Sequence, residues 1–213
     1  MLHEYKFKDL EAAADAMVDQ IVHQLRTQIA RSGNAVLAVG GGRTPKHVLP
    51  RLAARDCDWR RVTVTLTDDR MVPADDPDSN EGLVRKHLLC DRAREAKFFG
   101  LVGNSGQEVP QPDIVYLGFG EDAHIASLFP DGPALSAQHL GTVEAFAPVP
   151  PRERISLTMP TLLAAQYVVI LIYGEKKKRV FCRARDFSSA SNLPLARMLR
   201  QTLAAVSVFI AND

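Results

Sequence analysis

A three-layer α/β/α fold around a mostly parallel central sheet is predicted by three features of the sequence. Short apolar, β-branched segments alternate with helix-period segments from Ala35 to Ile210, the pattern of strand–helix–strand units. Two of these segments, Ile114–Leu117 and the run Y-V-V-I-L-I-Y at Tyr167–Tyr173, are apolar throughout, as strands covered on both faces are. Glycines close three of the strands, at Gly40, Gly118 and Gly174, and end each in a turn.

Bulk properties bound what such a fold does. A chain of 213 residues fits one domain, 1–213, and buries about 70% of its unfolded surface, enough for a core without staples. Apolar content of 46% and charged content of 24% are those of a globular protein, and a formal net charge of +1 makes no electrostatic case for nucleic acid or an anionic membrane as partner. Cys57, Cys90 and Cys182 are odd in number and widely spaced, which fits a reducing, cytoplasmic setting with the three acting as small buried hydrophobes. The N-terminus M-L-H-E-Y-K-F-K-D has no apolar h-region, so no signal peptide is expected. No apolar run reaches the ~18 residues of a membrane span. A monomer or weak homodimer is expected.

Taken in order, His3–Phe7 alternates weakly and is expected as a first, edge strand. From Leu10 the period becomes helical: Leu10, Ala14, Met17, Val18, Ile21, Leu25 and Ile29 share one face. Asp9 is placed to cap this helix and Ser32-Gly33-Asn34 to stop it, while His23 lies off the apolar face and reads as solvated. Ala35–Val39 is a short buried strand running into Gly40-Gly41-Gly42-Arg43-Thr44-Pro45, with Pro45 at a first helical position. Glycines let a backbone approach an anion, and a helix N-terminus presents free amides to it. The stretch has neither the G-x-G-x-x-G spacing nor the lysine of a P-loop, so nucleotide binding is not expected. Pro50 predicts that the following helix is short or kinked.

Val62–Leu66, V-T-V-T-L, is a β-branched strand that delivers Thr67-Asp68-Asp69-Arg70 to the same edge of the sheet. Asp75, Asp76 and Asp78 read as a solvated acidic loop. No His or Cys accompanies these carboxylates at ligand spacing, so no metal is expected. Asn80–Leu89 is a short helix and Lys97–Val102 a brief strand, followed by a Gly- and Pro-rich loop from Gly103 to Pro112. Gly132–Pro148 is weakly patterned, with His139 exposed in it; I-S-L-T at 155–158 is strand-like. After Gly174, Glu175-Lys176-Lys177-Lys178-Arg179 opens a helix. Cations there oppose the helix dipole, a mild conflict that points to an anionic ligand nearby. A last helix is expected from Leu193-Pro194 through Ala205, and a closing strand over Val206–Ile210.

The chemistry concentrates in Asp113–Pro130, D-I-V-Y-L-G-F-G-E-D-A-H-I-A-S-L-F-P. A strand is stopped by Gly118 and Gly120, and Glu121, Asp122 and His124 follow at once. In an open parallel sheet, the loop leaving a strand's carboxyl end is where ligands bind. A carboxylate two residues from an imidazole suits general base chemistry, because the acid orients the ring and steadies its cation. Ser127 is not a nucleophile candidate, since the G-x-S-x-G elbow is missing.

The string G-x-G-x-D-x-H-x-A-S-L-F-P resembles the signature of the 6-phosphogluconolactonases, usually D-G-H-T-A-S-L-F-P. The resemblance continues in ordered blocks over nearly the whole chain. Gly40–Pro45 is similar to the family's G-G-S-T-P, with Arg43 where Ser is usual. T-D-D-R-M-V-P at 67–73 is similar to G-D-E-R-x-V-P, with Asp69 for Glu, and Arg70 and Asn80 match. P-P-R-E-R-I-S-L-T at 150–158 is similar to P-P-x-x-R-[IV]-[ST]-[LF]-T, and the spacing G-x-x-K selects Lys177.

The resemblance implies a sugar-phosphate isomerase-like fold, shared with glucosamine-6-phosphate deaminases and some sugar-responsive regulator domains. It implies hydrolysis of a phosphorylated sugar lactone, 6-phospho-D-glucono-1,5-lactone, to 6-phospho-D-gluconate in the oxidative pentose phosphate pathway, with no cofactor. His124 would take a proton from water and return it to the leaving ring oxygen. Asp68 and Asp122 would orient the histidine or the sugar, and Arg70 and Asn80 would shape the site. Gly40, Gly41, Gly42, Arg43 and Thr44 would bind substrate, and the loop amides at Gly40 to Gly42 could hold the developing oxyanion. Arg154 and Lys177 would bind phosphate, with Arg152 the neighbouring alternative to Arg154. A deaminase is the runner-up, opposed because deaminases continue A-F-N-E-P where this chain has A-S-L-F-P. A non-catalytic sugar-phosphate-binding regulator stays open through Arg43, Ala123 and Ile125, which replace Ser, Gly and Thr. The last two also favour a loop relaxed to an ordinary φ at Ala123, with His124 slightly re-aimed. Family members commonly run a turn or two further, so the C-terminus reads as trimmed.

Overall fold

Residues 1–104, 108–186 and 192–212 are described by the computed structural model of the chain; residues 105–107 of the expected Gly103–Pro112 loop lie outside them. Seven strands form one sheet: β1 (Leu2–Phe7), β2 (Ala35–Val39), β3 (Val62–Leu66), β5 (Lys97–Phe99), β6 (Ile114–Tyr116), β9 (Tyr167–Ile172) and β10 (Ala205–Ala211). Their order is β1-β10-β9-β6-β2-β3-β5, and every neighbouring pair is parallel. The remaining three strands, β4 (Asp68–Arg70), β7 (Thr142–Phe146) and β8 (Glu153–Leu157), form a separate antiparallel sheet in the order β4-β8-β7.

Helix α1 (Leu10–Ser32) starts where Asp9 Oδ1 accepts from the Ala12 amide at 2.8 Å and stops where Gly33 adopts φ +84°. It packs on β10, β9, β2 and β6 through Ala14, Met17, Val18, Ile21 and Leu25, all fully buried. Each such Leu, Ile, Val or Met contributes about 1.5–3 kcal/mol. Helix α2 (Pro45–Ala53) has Pro45 at its start and Pro50 inside, and is short as expected. Helices α3 (Asn80–His87), α4 (Met159–Leu163), α5 (Glu175–Arg185) and α6 (Pro194–Arg200) complete the α/β arrangement.

Several expectations are corrected. The last helix ends at Arg200 rather than Ala205, because Ala205 is drawn into β10 by parallel pairing with Tyr167. Gln201 closes the intervening turn on Ala204, accepting from its amide at 2.7 Å and donating to its carbonyl at 3.0 Å. The weakly patterned 132–148 segment holds β7, and the five-residue α4 is capped by Thr158. The brief strand ends at Phe99, not Val102. None of the three free cysteines is a buried hydrophobe: Cys57 and Cys90 are partly covered and Cys182 is exposed. No described helix is long and apolar enough to cross a membrane.

Candidate active site

The winding of the large sheet reverses between β2 and β6. From β2 the chain proceeds to β3 on one side, whereas from β6 the next strand of this sheet is β9 on the other. In open α/β sheets the crevice at the carboxyl ends of two such strands is where ligands bind. The loops that leave β2 and β6 are the two singled out in the sequence, Gly40–Thr44 and Gly118–His124.

His124 and Asp122 are paired, with Nδ1 2.6 Å from Asp122 Oδ1. The same oxygen accepts from the His124 amide at 3.2 Å. An ionised carboxylate can only accept, so in the neutral ring Nδ1 carries the proton and Nε2 keeps its lone pair. Burial raises the Asp122 carboxyl, but the hydrogen bond and charge of His124 outweigh it and leave Asp122 below the usual carboxylate value. Phe129 braces the ring from the side, 4.7 Å between centroids. Gly120 lies so close that a Cβ there would strike the imidazole and the Asp122 carboxylate.

The loop is not relaxed. Ala123 has φ +67° and Ala126 φ +49°, in the left-handed region where a Cβ costs about 1–2 kcal/mol. The chain on both sides holds Ala123 there. Its amide donates to Gly120 O at 3.1 Å, its carbonyl accepts from the Leu195 amide at 3.1 Å, and Ile125 bridges both Phe119 and Leu128. Ala123→Gly relieves this strain but loses a buried methyl worth about 0.8 kcal/mol. A net gain of up to about 1 kcal/mol is expected, a rise in Tm of about 1–4 °C with kcat unchanged. A fall in Tm on thermal unfolding would show that the methyl's packing outweighs the strain.

Across the crevice, the Gly40 amide is committed to the sheet, donating to Tyr116 O at 2.9 Å. The expected oxyanion cradle therefore loses Gly40 and narrows to Gly41 and Gly42, whose amides donate to no described residue. Gly41 lies so close to the Asn80 side chain that any Cβ would collide with it. Asn80 is locked in turn: Nδ2 donates to Asp68 O at 2.8 Å, and Oδ1 accepts from Arg70 at 3.1 Å. Arg43 and the start of α2 at Thr44 follow, with Arg43 exposed and Thr44 making no side-chain cap.

The cations come from two directions. Arg70 and Arg154 face each other across β4 and β8. Arg154 is only 8% exposed, its Nε is buried without a partner, and its side chain makes no hydrogen bond or ion pair with the described residues. Burial and then the Arg70 charge pull Arg154 below the ordinary guanidinium value, against Asp68, Asp78 and Asp69. Arg152 is exposed. Lys177, in the first turn of α5, donates to Phe119 O and lies 4.7 Å from the Phe119 ring centroid. Burial lowers its ammonium, Glu121 and Asp122 raise it, and Arg43 lowers it again, so these four groups share one neighbourhood.

The two aspartates of the D-D-R motif differ in use. Asp69 is buried and caps α3, accepting from the amides of Arg70, Asn80 and Glu81 at 2.7–2.9 Å. Asp68 makes no hydrogen bond to His124; it accepts from Thr67 Oγ1 at 3.0 Å and Ser127 Oγ at 2.7 Å. Phe119, Phe129 and Ser156 reach the site without having been singled out, and Ser127, set aside as a nucleophile, reaches it as a hydrogen-bond donor to Asp68. Ser127, Phe129 and Phe119 lie in the motif string itself, whereas Ser156 carried no signal of its own. Among the described residues, no three His, Cys, Asp or Glu gather to hold a metal.

Fold and site define a doubly wound α/β protein with a hydrogen-bonded His–Asp pair and a cluster of cations at its switch crevice. The family described as glucosamine-6-phosphate isomerases/6-phosphogluconolactonase matches residues 8–107 and 92–207, and the chain belongs to it. The 6-phosphogluconolactonase of Caulobacter vibrioides is 37% identical over 96% of this chain and 95% of its own length. That of Pseudomonas aeruginosa is 35% identical over 89% and 88%. Among solved structures, a 6-phosphogluconolactonase from Shewanella baltica superposes with a TM-score of 0.92 at 32% identity, covering 100% of this chain and 98% of that one. A monomeric glucosamine-6-phosphate deaminase, with TM-score 0.76 and 14% identity over 99% and 97% of the two chains, shares the fold.

Proposed function

We propose that the protein hydrolyses 6-phospho-D-glucono-1,5-lactone to 6-phospho-D-gluconate in the oxidative pentose phosphate pathway, acting as one domain and as a monomer or weak homodimer. The observation that carries this reading is the His124–Asp122 pair, its Nε2 free, at the switch crevice of a chain whose relatives are named 6-phosphogluconolactonase.

Nε2 of His124 takes a proton from a water, which attacks the lactone carbonyl carbon. The imidazolium that forms is steadied by Asp122. The carbonyl oxygen, now an oxyanion, is held by the amides of Gly41 and Gly42, which donate to no described residue and bind more strongly as negative charge develops. Collapse of the tetrahedral intermediate breaks the bond to the ring oxygen, which receives the proton from His124. Arg154, Arg70 and Lys177 take the phosphate. Arg154 suits this because a planar guanidinium grips phosphate through parallel hydrogen bonds, and its own are unused in the free protein. Every step uses side chains and amides of this chain.

The test is acid release from freshly made phospholactone, followed with and without protein because the lactone also opens spontaneously. A protein-dependent rate well above the blank is expected. A rate equal to the blank overturns the reading and leaves a binding protein.

A further inference from the structure

Ser127 lies three residues beyond His124 and is 1% exposed. Its amide donates to Ser156 Oγ at 3.2 Å, and its hydroxyl donates to Asp68 Oδ2 at 2.7 Å. Those two partners face each other across the β4–β8 ribbon, as Asp68↔Ser156. Two positions along the same ribbon, Arg70 faces Arg154. Residues two apart on a strand share a face, so one face of a short ribbon carries both the clasp on Ser127 and the arginine pair. On its other side Ser127 is tied to the base. Leu128 donates to Ile125 O at 2.9 Å, closing a turn around it, and Ile125 bridges back to Phe119.

We infer that Ser127 is a positioning residue that couples the anion held by Arg70 and Arg154 to the aim of His124. The inference rests on the lactonase reading and adds that phosphate binding sets the rate of the chemical step as well as affinity. In the free protein the ribbon holds two like charges directly opposite one another, an unfavourable cross-strand pair, with both Nε atoms buried and unsatisfied. A dianion between them removes the repulsion and supplies the missing acceptors, so the occupied and empty ribbons have different preferred geometries. The hydroxyl and amide bonds of Ser127 are directional and buried, and the loop around His124 is held with Ala123 before it and Ala126 after it, both at positive φ. A small shift of the ribbon therefore reaches the imidazole. Lys177 stands on a different element, α5, and meets the loop at Phe119 rather than through the ribbon and Ser127.

The experiment separates the phosphate from the lactone. Unphosphorylated glucono-1,5-lactone is hydrolysed with and without phosphite dianion as a free stand-in for the missing phosphate, against protein-free blanks containing the same phosphite. In the parent, phosphite is expected to raise the protein-dependent rate about tenfold or more, since a misplacement of ~1 Å can cost about a hundredfold. Ser127→Ala should lose that activation. On the phosphorylated lactone its kcat should fall about tenfold while KM stays within about threefold, a split that general loosening of the fold does not produce. Should Ser127→Ala fail to fold, Ser156→Ala removes the other half of the clasp and carries the same expectation. Absence of phosphite activation in the parent, or activation in either variant equal to the parent's, overturns the inference while leaving the lactonase reading intact. No protein-dependent hydrolysis of the phosphorylated lactone overturns the reading itself, and this inference with it.

Discussion

Replacing His124 with alanine is expected to lower kcat on the phosphorylated lactone by about two to four orders of magnitude, the usual contribution of a positioned general base. The loss should fall on turnover, because the ring contacts Asp122 and Phe129 and is assigned no part in holding phosphate. Stability should change little. The imidazole is partly exposed, and its carboxylate partner, 44% exposed, keeps access to water when the ring is gone. Exposed ion pairs are worth about 0–1 kcal/mol. Steady-state kinetics beside a thermal melt checks both halves. A variant that turns over as fast as the parent means that water is activated by another group.

Arg154→Met is expected to separate substrate recognition from folding. Losing a bidentate, charge-assisted contact to phosphate should cost about 3 kcal/mol of binding, or roughly a hundredfold in kcat/KM for the phosphorylated lactone. The unphosphorylated lactone has nothing for Arg154 to hold and should lose far less. The melting temperature should hold or rise. In the free protein Arg154 is a nearly buried cation with an unsatisfied Nε and Arg70 opposite, and replacing such a charge with an apolar side chain is often stabilising. Equal losses on both substrates, or a large fall in Tm, would place Arg154 in the reaction or the fold instead.

The arginine pair also shows where reading the chain reached its limit. Arg154 and Arg70 both stood out only through the resemblance to the lactonases; by itself D-D-R before an acidic loop reads as a solvated turn. That the two are cross-strand neighbours follows from an antiparallel sheet of which only β8 had a clear sequence signature. Strand β4 has three residues, and β7, T-V-E-A-F, is a five-residue edge with one fully buried position. Such strands are specified by their partner rather than by their own period. Ala123 shows a second limit. A substitution of Gly by Ala reads locally as relaxation of the turn, because αL disfavours a Cβ. Hydrogen bonds to Gly120 and Leu195, the latter more than 70 residues on in the chain, hold it there.

The sequence by itself determined the parallel sheet, its strands β2, β3 and β9 almost to the residue, the cap and stop of α1, and the D-x-H loop. Each of these follows from a local pattern: an apolar run, a helical period, a capping side chain, or glycines after a strand. Only the tertiary structure decided which polar groups are spent and which are free. Among the described residues, Gly40 gives its amide to Tyr116 while Gly41 and Gly42 keep theirs; Asp69 is consumed in capping α3; Asp122 serves the histidine and Asp68 serves Ser127. Neighbouring residues of the same type have no local signal to separate them. Their roles diverge because a hydrogen bond is short and directional, and which partner comes within its reach is set by strands and loops far apart in the chain.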